Sequence, residues 1–155
     1  MSRKTQRGRT SSEPGRKVDT MPKANVVAVI NTSPDVVDLM RISLERAGFV
    51  VVSALTFEIR DGAVDLEAFV AQHHPKVIVY DIAPPYDANW ALFKHMKQMA
   101  FMRGRYFVLS STNRRQVERI AGPDHQIYEI VGRPLDLDQL VEGVRQAMKA
   151  RPTKR

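Results

Sequence analysis

Lys76-Val77-Ile78-Val79-Tyr80-Asp81 is a short apolar run, rich in β-branched residues, that ends on a carboxylate. His73-His74-Pro75 precedes it and Pro84-Pro85 follows, so it reads as a buried strand of a parallel sheet. Open α/β sheets bind ligands and do their chemistry at the carboxyl edge of the strands, and Asp81 is expected there. A lone Asp after a strand serves equally well as a loop cap. Two further strand ends add to the reading. Tyr106-Phe107-Val108-Leu109 runs into Ser110-Ser111, and Ile127-Tyr128-Glu129-Ile130-Val131 runs into Gly132-Arg133-Pro134. A carboxylate, a hydroxyl and a cation at successive strand ends make an anion-handling pocket.

Working outward, the chain alternates strand and helix. Residues 25–30 form a buried strand, and Asn31-Thr32-Ser33 supplies capping residues before Pro34 at a first helical position. A helix is expected from there to about Ala47, with Val36, Met40, Leu44 and Ala47 on its apolar face and Gly48 as its stop. Phe49 to Val52 is a second strand, and residues 54–64 read as a longer loop. Asp65 caps a helix to about Gln72. A helix from Ala88 to about Met102 spaces Trp90, Phe93 and Met96 as core residues, and a short polar helix covers residues 113–120. A last helix starts at Asp136, with Leu137, Leu140, Val141, Val144 and Met148 as its stripe. Five βα units with near-continuous apolar strands predict an α/β, flavodoxin-like, doubly wound five-stranded parallel sheet with helices on both faces.

Composition narrows the function classes. At 155 residues the chain suits one domain with a proper core. There is no cysteine, which removes disulfides, thiolate catalysis and thiolate metal sites. No apolar run approaches a membrane span of about 20 residues, and a cytoplasmic location is expected. The net charge of +7 belongs to the ends of the chain. Residues 1–24 hold seven Lys/Arg against two acids, and residues 149–155 hold four Lys/Arg and no acid. The body between them is slightly acidic. Residues 1–24 and 150–155 are therefore expected to be basic tails, the first disordered, flanking a domain at 25–149. Met21 offers an alternative start, which makes residues 1–20 a candidate gene-model extension.

Four phrases then carry a resemblance. They are Val-Asp-Leu-Met-Arg-Ile-Ser-Leu-Glu-Arg-Ala-Gly-Phe (37–49), His-Pro-Lys-Val-Ile-Val-Tyr-Asp (74–81), Val-Leu-Ser-Ser (108–111) and Gly-Arg-Pro-Leu-Asp-Leu-Asp-Gln-Leu (132–140). In this order and spacing the chain resembles the receiver domain of bacterial two-component response regulators, over residues 25–149. The resemblance implies that Asp81 is the phosphoacceptor. It implies that Ser110 contacts the phosphoryl group and that Arg133, where the family carries Lys, pairs with its oxygens. It also implies a histidine kinase or phosphotransfer protein as one partner and a downstream protein as another, met on the helices at 113–120 and from Asp136 and the strand between them.

The departures are as informative. Receivers place two acids directly after the first strand to hold Mg²⁺, and this chain has Asn31 and Thr32 there. Mg²⁺ favours anionic oxygens, so a site of Asp81, the Ala83 carbonyl, an amide and a hydroxyl is expected to be weak or absent. Asp35 falls inside the first helical turn and is not recruited. Arg133 for Lys exchanges a compact point charge for a planar fork. Ile130 stands where many receivers carry a mobile aromatic, with Tyr128 two residues earlier on the same side of the strand. His73-His74 reads as a solvated helix end, and His95 and His125 lack an orienting acid. No Gly-rich phosphate loop or Gly-x-Ser-x-Gly elbow is present, and no catalytic residue is assigned.

The expected function is a stand-alone, atypical response-regulator receiver in phosphorelay signalling. It is a non-enzyme with Asp81 as candidate phosphoacceptor and output through protein–protein contacts. The alternatives are a pseudo-receiver scaffold that is never phosphorylated, and nucleic-acid binding through the basic tails, which steep salt dependence would reveal. A chain starting near Lys23 is expected to melt within a few degrees of full length. A large loss of melting temperature would show that the N-terminal segment packs on the domain.

Overall fold

The computed structural model describes residues 25–124, 126–132 and 134–151. The expectations for the tail at 1–24, most of the tail at 150–155, His125 and Arg133 fall outside the described residues. Within them the chain order is β1 (Val26–Asn31), α1 (Pro34–Arg46), β2 (Val50–Leu55), α2 (Thr56–Arg60), α3 (Leu66–His73), β3 (Val77–Asp81), α4 (Tyr86–Lys97), a 3-10 turn (Ala100–Met102), β4 (Tyr106–Ser110), α5 (Arg114–Ala121), β5 (Ile127–Val131) and α6 (Leu137–Met148).

The strands form one five-stranded sheet in the order β2-β1-β3-β4-β5. Every pairing is parallel, so helices must cross over between strands and cover both faces. One face packs Val27, Val29, Val77, Val79, Tyr106 and Val108 against Met40 and Leu44 of α1 and Leu140 and Val144 of α6. The other packs Ala28, Ile30, Ile78, Tyr80, Phe107 and Leu109 against Val70, Trp90, Phe93 and Val117 of α3, α4 and α5. Fully burying one such Val, Ile or Phe contributes about 1.5–3 kcal/mol, so the central strands anchor the domain.

Helix starts follow the expected chemistry. Ser33 Oγ accepts from Val36 N at 3.3 Å with Pro34 at the first helical position. Asp65, Asn113 and Asp136 accept from Ala68, Gln116 and Gln139 N–H groups in the same way. Gly48, at φ +100, ends α1 where an L side chain would be strained. At the far end of α6, Lys76 Nζ donates to the Met148 carbonyl at 2.6 Å and ties the last turn to the foot of β3.

Several local expectations are corrected. β2 extends to Leu55, and residues 56–60, expected as loop, form α2. The reason is Glu58, whose Oε1 accepts from Leu55 N at 2.9 Å and closes the first turn. The third long helix begins at Tyr86 rather than Ala88 and stops at Lys97, with the rest of the expected span in the 3-10 turn. On α1 it is Val37, Met40 and Leu44 that are buried, while Val36 packs only at the margin. Tyr128 and Ile130 do not share a side. A bulge opposite Phe107/Val108 inserts Tyr128 as an extra residue and breaks the alternation. Tyr128 meets Tyr106 edge-on at 5.7 Å, whereas Ile130 packs with the core on the opposite face.

Gly143 shows how tightly α6 lies on the sheet. A Cβ there would stand 2.7 Å from Glu129 Cβ. Gly143→Ala is expected to force α6 off β5 and lower stability by about 1–3 kcal/mol, measurable as a fall in urea midpoint. An unchanged midpoint would show that this interface yields freely.

Candidate functional site at the carboxyl edge of the sheet

Strand parity decides which side chains meet. Asn31 follows Val27 and Val29 on β1, Asp81 follows Val77 and Val79 on β3, and Ser110 follows Tyr106 and Val108 on β4. All three therefore project toward the α1/α6 face, at the carboxyl ends of adjacent strands. Asp81 and Ser110 are direct register partners, and Asn31 lies one step beyond the Ile30–Tyr80 pair. Ser110 Oγ donates to Asp81 Oδ1 at 2.7 Å, a charge-assisted hydrogen bond between two strand ends. Ser110 is buried and Asp81 half-buried, so this carboxylate stays within reach of a partner. The anion next door acts on Tyr80, whose phenol is pushed above its ordinary value first by burial and then by the Asp81 charge.

The surrounding backbone is laced together. Ile82 N donates to Ser110 O at 2.8 Å, and Ser111 N donates to Val131 O at 3.0 Å. Ser111 Oγ donates to the Ile82 carbonyl at 2.9 Å and accepts from Asn113 N at 3.1 Å. Ser111 thus binds the β3 exit to the cap of α5, a role that reading the sequence missed. The doublet Ser110-Ser111 was the available signal, since consecutive strand residues point to opposite faces and two hydroxyls serve two different partners.

Asn31 and Thr32 hold no acid, and Asn31 is otherwise engaged. Asn31 is buried, and its Oδ1 accepts from Ser33 N at 3.0 Å in a local turn. Thr32 is exposed beside it. The Ala83 carbonyl accepts from Asn89 Nδ2 at 2.6 Å, so an amide already occupies one of its lone pairs. Asp35 sits in the first turn of α1 and is exposed, as expected. Among the described residues no group of three or more His, Asp or Glu side chains could hold a metal ion. One carboxylate beside an amide and a carbonyl that already serve other partners does not fit Mg²⁺, which demands near-octahedral oxygen ligation and sheds water reluctantly. The other candidates lie elsewhere. His73 packs edge-on against Phe69, His74 takes the left-handed C-cap of α3, and His95 is exposed on α4.

A sensor protein from Polaromonas sp. JS666 is similar at 19% identity and TM-score 0.63, covering 82% of this chain and 97% of that one. A signal receiver domain of a two-component histidine kinase from Clostridium thermocellum gives 12% identity and TM-score 0.64, covering 81% and 98%. The chemotaxis protein CheY4 of Vibrio cholerae gives 16% identity and TM-score 0.58, covering 81% and 99%. The chain has the receiver-domain fold. Neither a protein-family model nor a curated protein matches the sequence. On this receiver fold Asp81 and Ser110 stand at the ends of the third and fourth strands, where the sequence reading put them. No described helix is long and apolar enough to cross a membrane.

The donor set predicts feeble Mg²⁺ binding. Titration followed by Trp90 fluorescence is expected to show no saturation in the low-millimolar range, and Asn31→Asp with Thr32→Asp should strengthen binding. Saturation by the unaltered chain at or below that range would contradict this reading, in which Asn31 and the Ala83 carbonyl are held by Ser33 and Asn89.

Proposed function

We propose that the chain is an atypical receiver module of phosphorelay signalling, with Asp81 as its phosphoacceptor and output through protein–protein contacts. The observation that carries this reading is the half-buried Asp81 carboxylate held by the Ser110 hydroxyl at the carboxyl edge of the sheet. Receiver-fold neighbours among two-component proteins support the signalling role. In this reading a carboxylate oxygen of Asp81 attacks the phosphorus of a phosphohistidine on a kinase or phosphotransfer protein. A P–O bond forms as the P–N bond breaks, and the imidazole leaves with the electron pair. The product carries roughly two negative charges where the carboxylate carried one. Ser110 then donates to a phosphoryl oxygen, and Arg133, two residues past β5, is the proposed cation. Because β4 pairs with β5, a shift of Ser110 would reach α5, β5 and α6, the proposed contact face. The proposed location is the cytoplasm, and the role is signalling rather than catalysis.

A second reading is favoured by the bonds that already engage Asn31 and the Ala83 carbonyl: a scaffold in which Asp81 is never phosphorylated. Phosphoryl transfer relies on charge neutralisation, which this site supplies sparingly. Incubation with a small phosphodonor and intact-mass measurement separates the two. Labelling that is slow, indifferent to Mg²⁺ and abolished by Asp81→Asn is expected. Absence of label from any donor or kinase would leave only the scaffold.

A further inference from the structure

Lys76 stands at the start of β3, and several chain segments meet on it. Its N–H donates to the Val26 carbonyl of β1 at 3.1 Å, and its carbonyl accepts from Tyr106 N of β4 at 3.0 Å. Its Nζ donates to the Met148 carbonyl that ends α6, at 2.6 Å. Arg105 Nη1 donates to the neighbouring Pro75 carbonyl at 2.6 Å. Residues 1–24 join the domain at Asn25, one residue before Val26, and residues 149–155 follow directly on Met148. Both basic ends of the chain therefore depart from one place, the amino edge of the sheet beside Lys76.

Crossover helices run opposite to the strands, so helix C-termini collect at this same edge. Their last turns carry Arg46 on α1, Lys94 and Lys97 on α4 and Arg145 on α6. First turns at the Asp81 edge carry Asp35, Glu67, Asp87 and Asp138 instead. Part of that polarity answers the helix dipoles. The dipoles do not account for Arg103 and Arg151 in connecting segments, or for the charge on the two ends. Arg46, Lys94, Arg103, Lys149 and Arg151 are all exposed and have no ion-pair partner among the described residues. Of the acids here, Asp124 is paired with Lys97 at 3.0 Å, and Glu45 is exposed on α1. Free cations extended by two basic segments match a ligand with many closely spaced negative charges. Residues 1–24 and 149–155 contain no aromatic, Leu or Ile, so they offer a lipid bilayer no apolar anchor.

We propose that the amino edge of the sheet and both basic ends form one surface for the phosphate backbone of nucleic acid, bound without regard to base sequence. This goes beyond receiver signalling and does not depend on Asp81. Lys76 and Asp81 are separated by the length of β3, roughly 16 Å. That is about twice the screening length of roughly 8 Å at physiological salt. A partner at the Asp81 edge and a nucleic acid at the amino edge can therefore bind together.

Fluorescence anisotropy tests this with the full chain, a labelled mixed-sequence DNA duplex and a single-stranded RNA of the same length. Binding of either form supports the surface, and the tighter one names the source of the phosphates. A Kd of about 1–100 μM at physiological salt is expected, with log affinity falling against log salt at a slope of about −4 or steeper. Arg103→Glu and Lys149→Glu are each expected to weaken binding about tenfold and to shallow the slope by about 1. Arg7→Gln with Arg9→Gln should shallow it by about 2. Arg60→Glu makes the same change in net charge as either single reversal but lies exposed at the Asp81 edge, and binding should stay within about twofold. Equal losses in Arg60→Glu, Arg103→Glu and Lys149→Glu would overturn the surface, because net charge alone would then explain the binding. Unchanged binding in the Arg103, Lys149 or Arg7/Arg9 variants would overturn it too. So would binding to vesicles of anionic and neutral lipid with none to either nucleic acid.

Discussion

The hydroxyl of Ser110 donating to the Asp81 carboxylate is the contact around which the rest of this molecule is arranged. It exists only because β3 and β4 are parallel neighbours in register at their last residues. A half-buried anion without a donor would lose part of its hydration with nothing in exchange. The hydroxyl supplies that exchange and joins the two strand exits. Beside it, Ile82 N donates to the Ser110 carbonyl and Ser111 Oγ to the Ile82 carbonyl, so the same strand exits are also joined through the backbone.

The parallel sheet is what makes such a pair possible. Apolar residues on both faces of β1, β3 and β4 demand helices on both sides, and crossover helices return every strand in the same direction. All carboxyl ends then collect at one edge, and polar residues that end an apolar run are gathered there. Much of this is legible in the sequence because each signal is local. Lys76 to Tyr80 is bounded by Pro75 and Pro84, and Pro34 follows a capping Ser33. What stayed hidden is non-local or subtle. Glu58 closes α2 through Leu55 N, a bond no hydropathy pattern announces. The bulge at Tyr128 breaks a period that a plain strand would keep. Asn89 reaching the Ala83 carbonyl and Tyr86 reaching Thr112 depend on how a helix turns over a loop.

The same edge explains why the site is atypical. Asn31 stands on the face and at the level where a second carboxylate would join Asp81, and its oxygen serves the turn into α1 instead. Two acids side by side would repel unless a cation sat between them. With an amide there, that repulsion is absent. Among the described residues, hydrogen bonds order this edge around the Asp81 carboxylate.

The most direct measurement of that claim is a double-mutant cycle between Asp81→Ala and Ser110→Ala, read by urea unfolding. The account predicts a coupling of about 1.5–3 kcal/mol, the range for a hydrogen bond to a charged group. Effects that add to within about 0.3 kcal/mol would contradict it, because the two side chains would then contribute to stability independently.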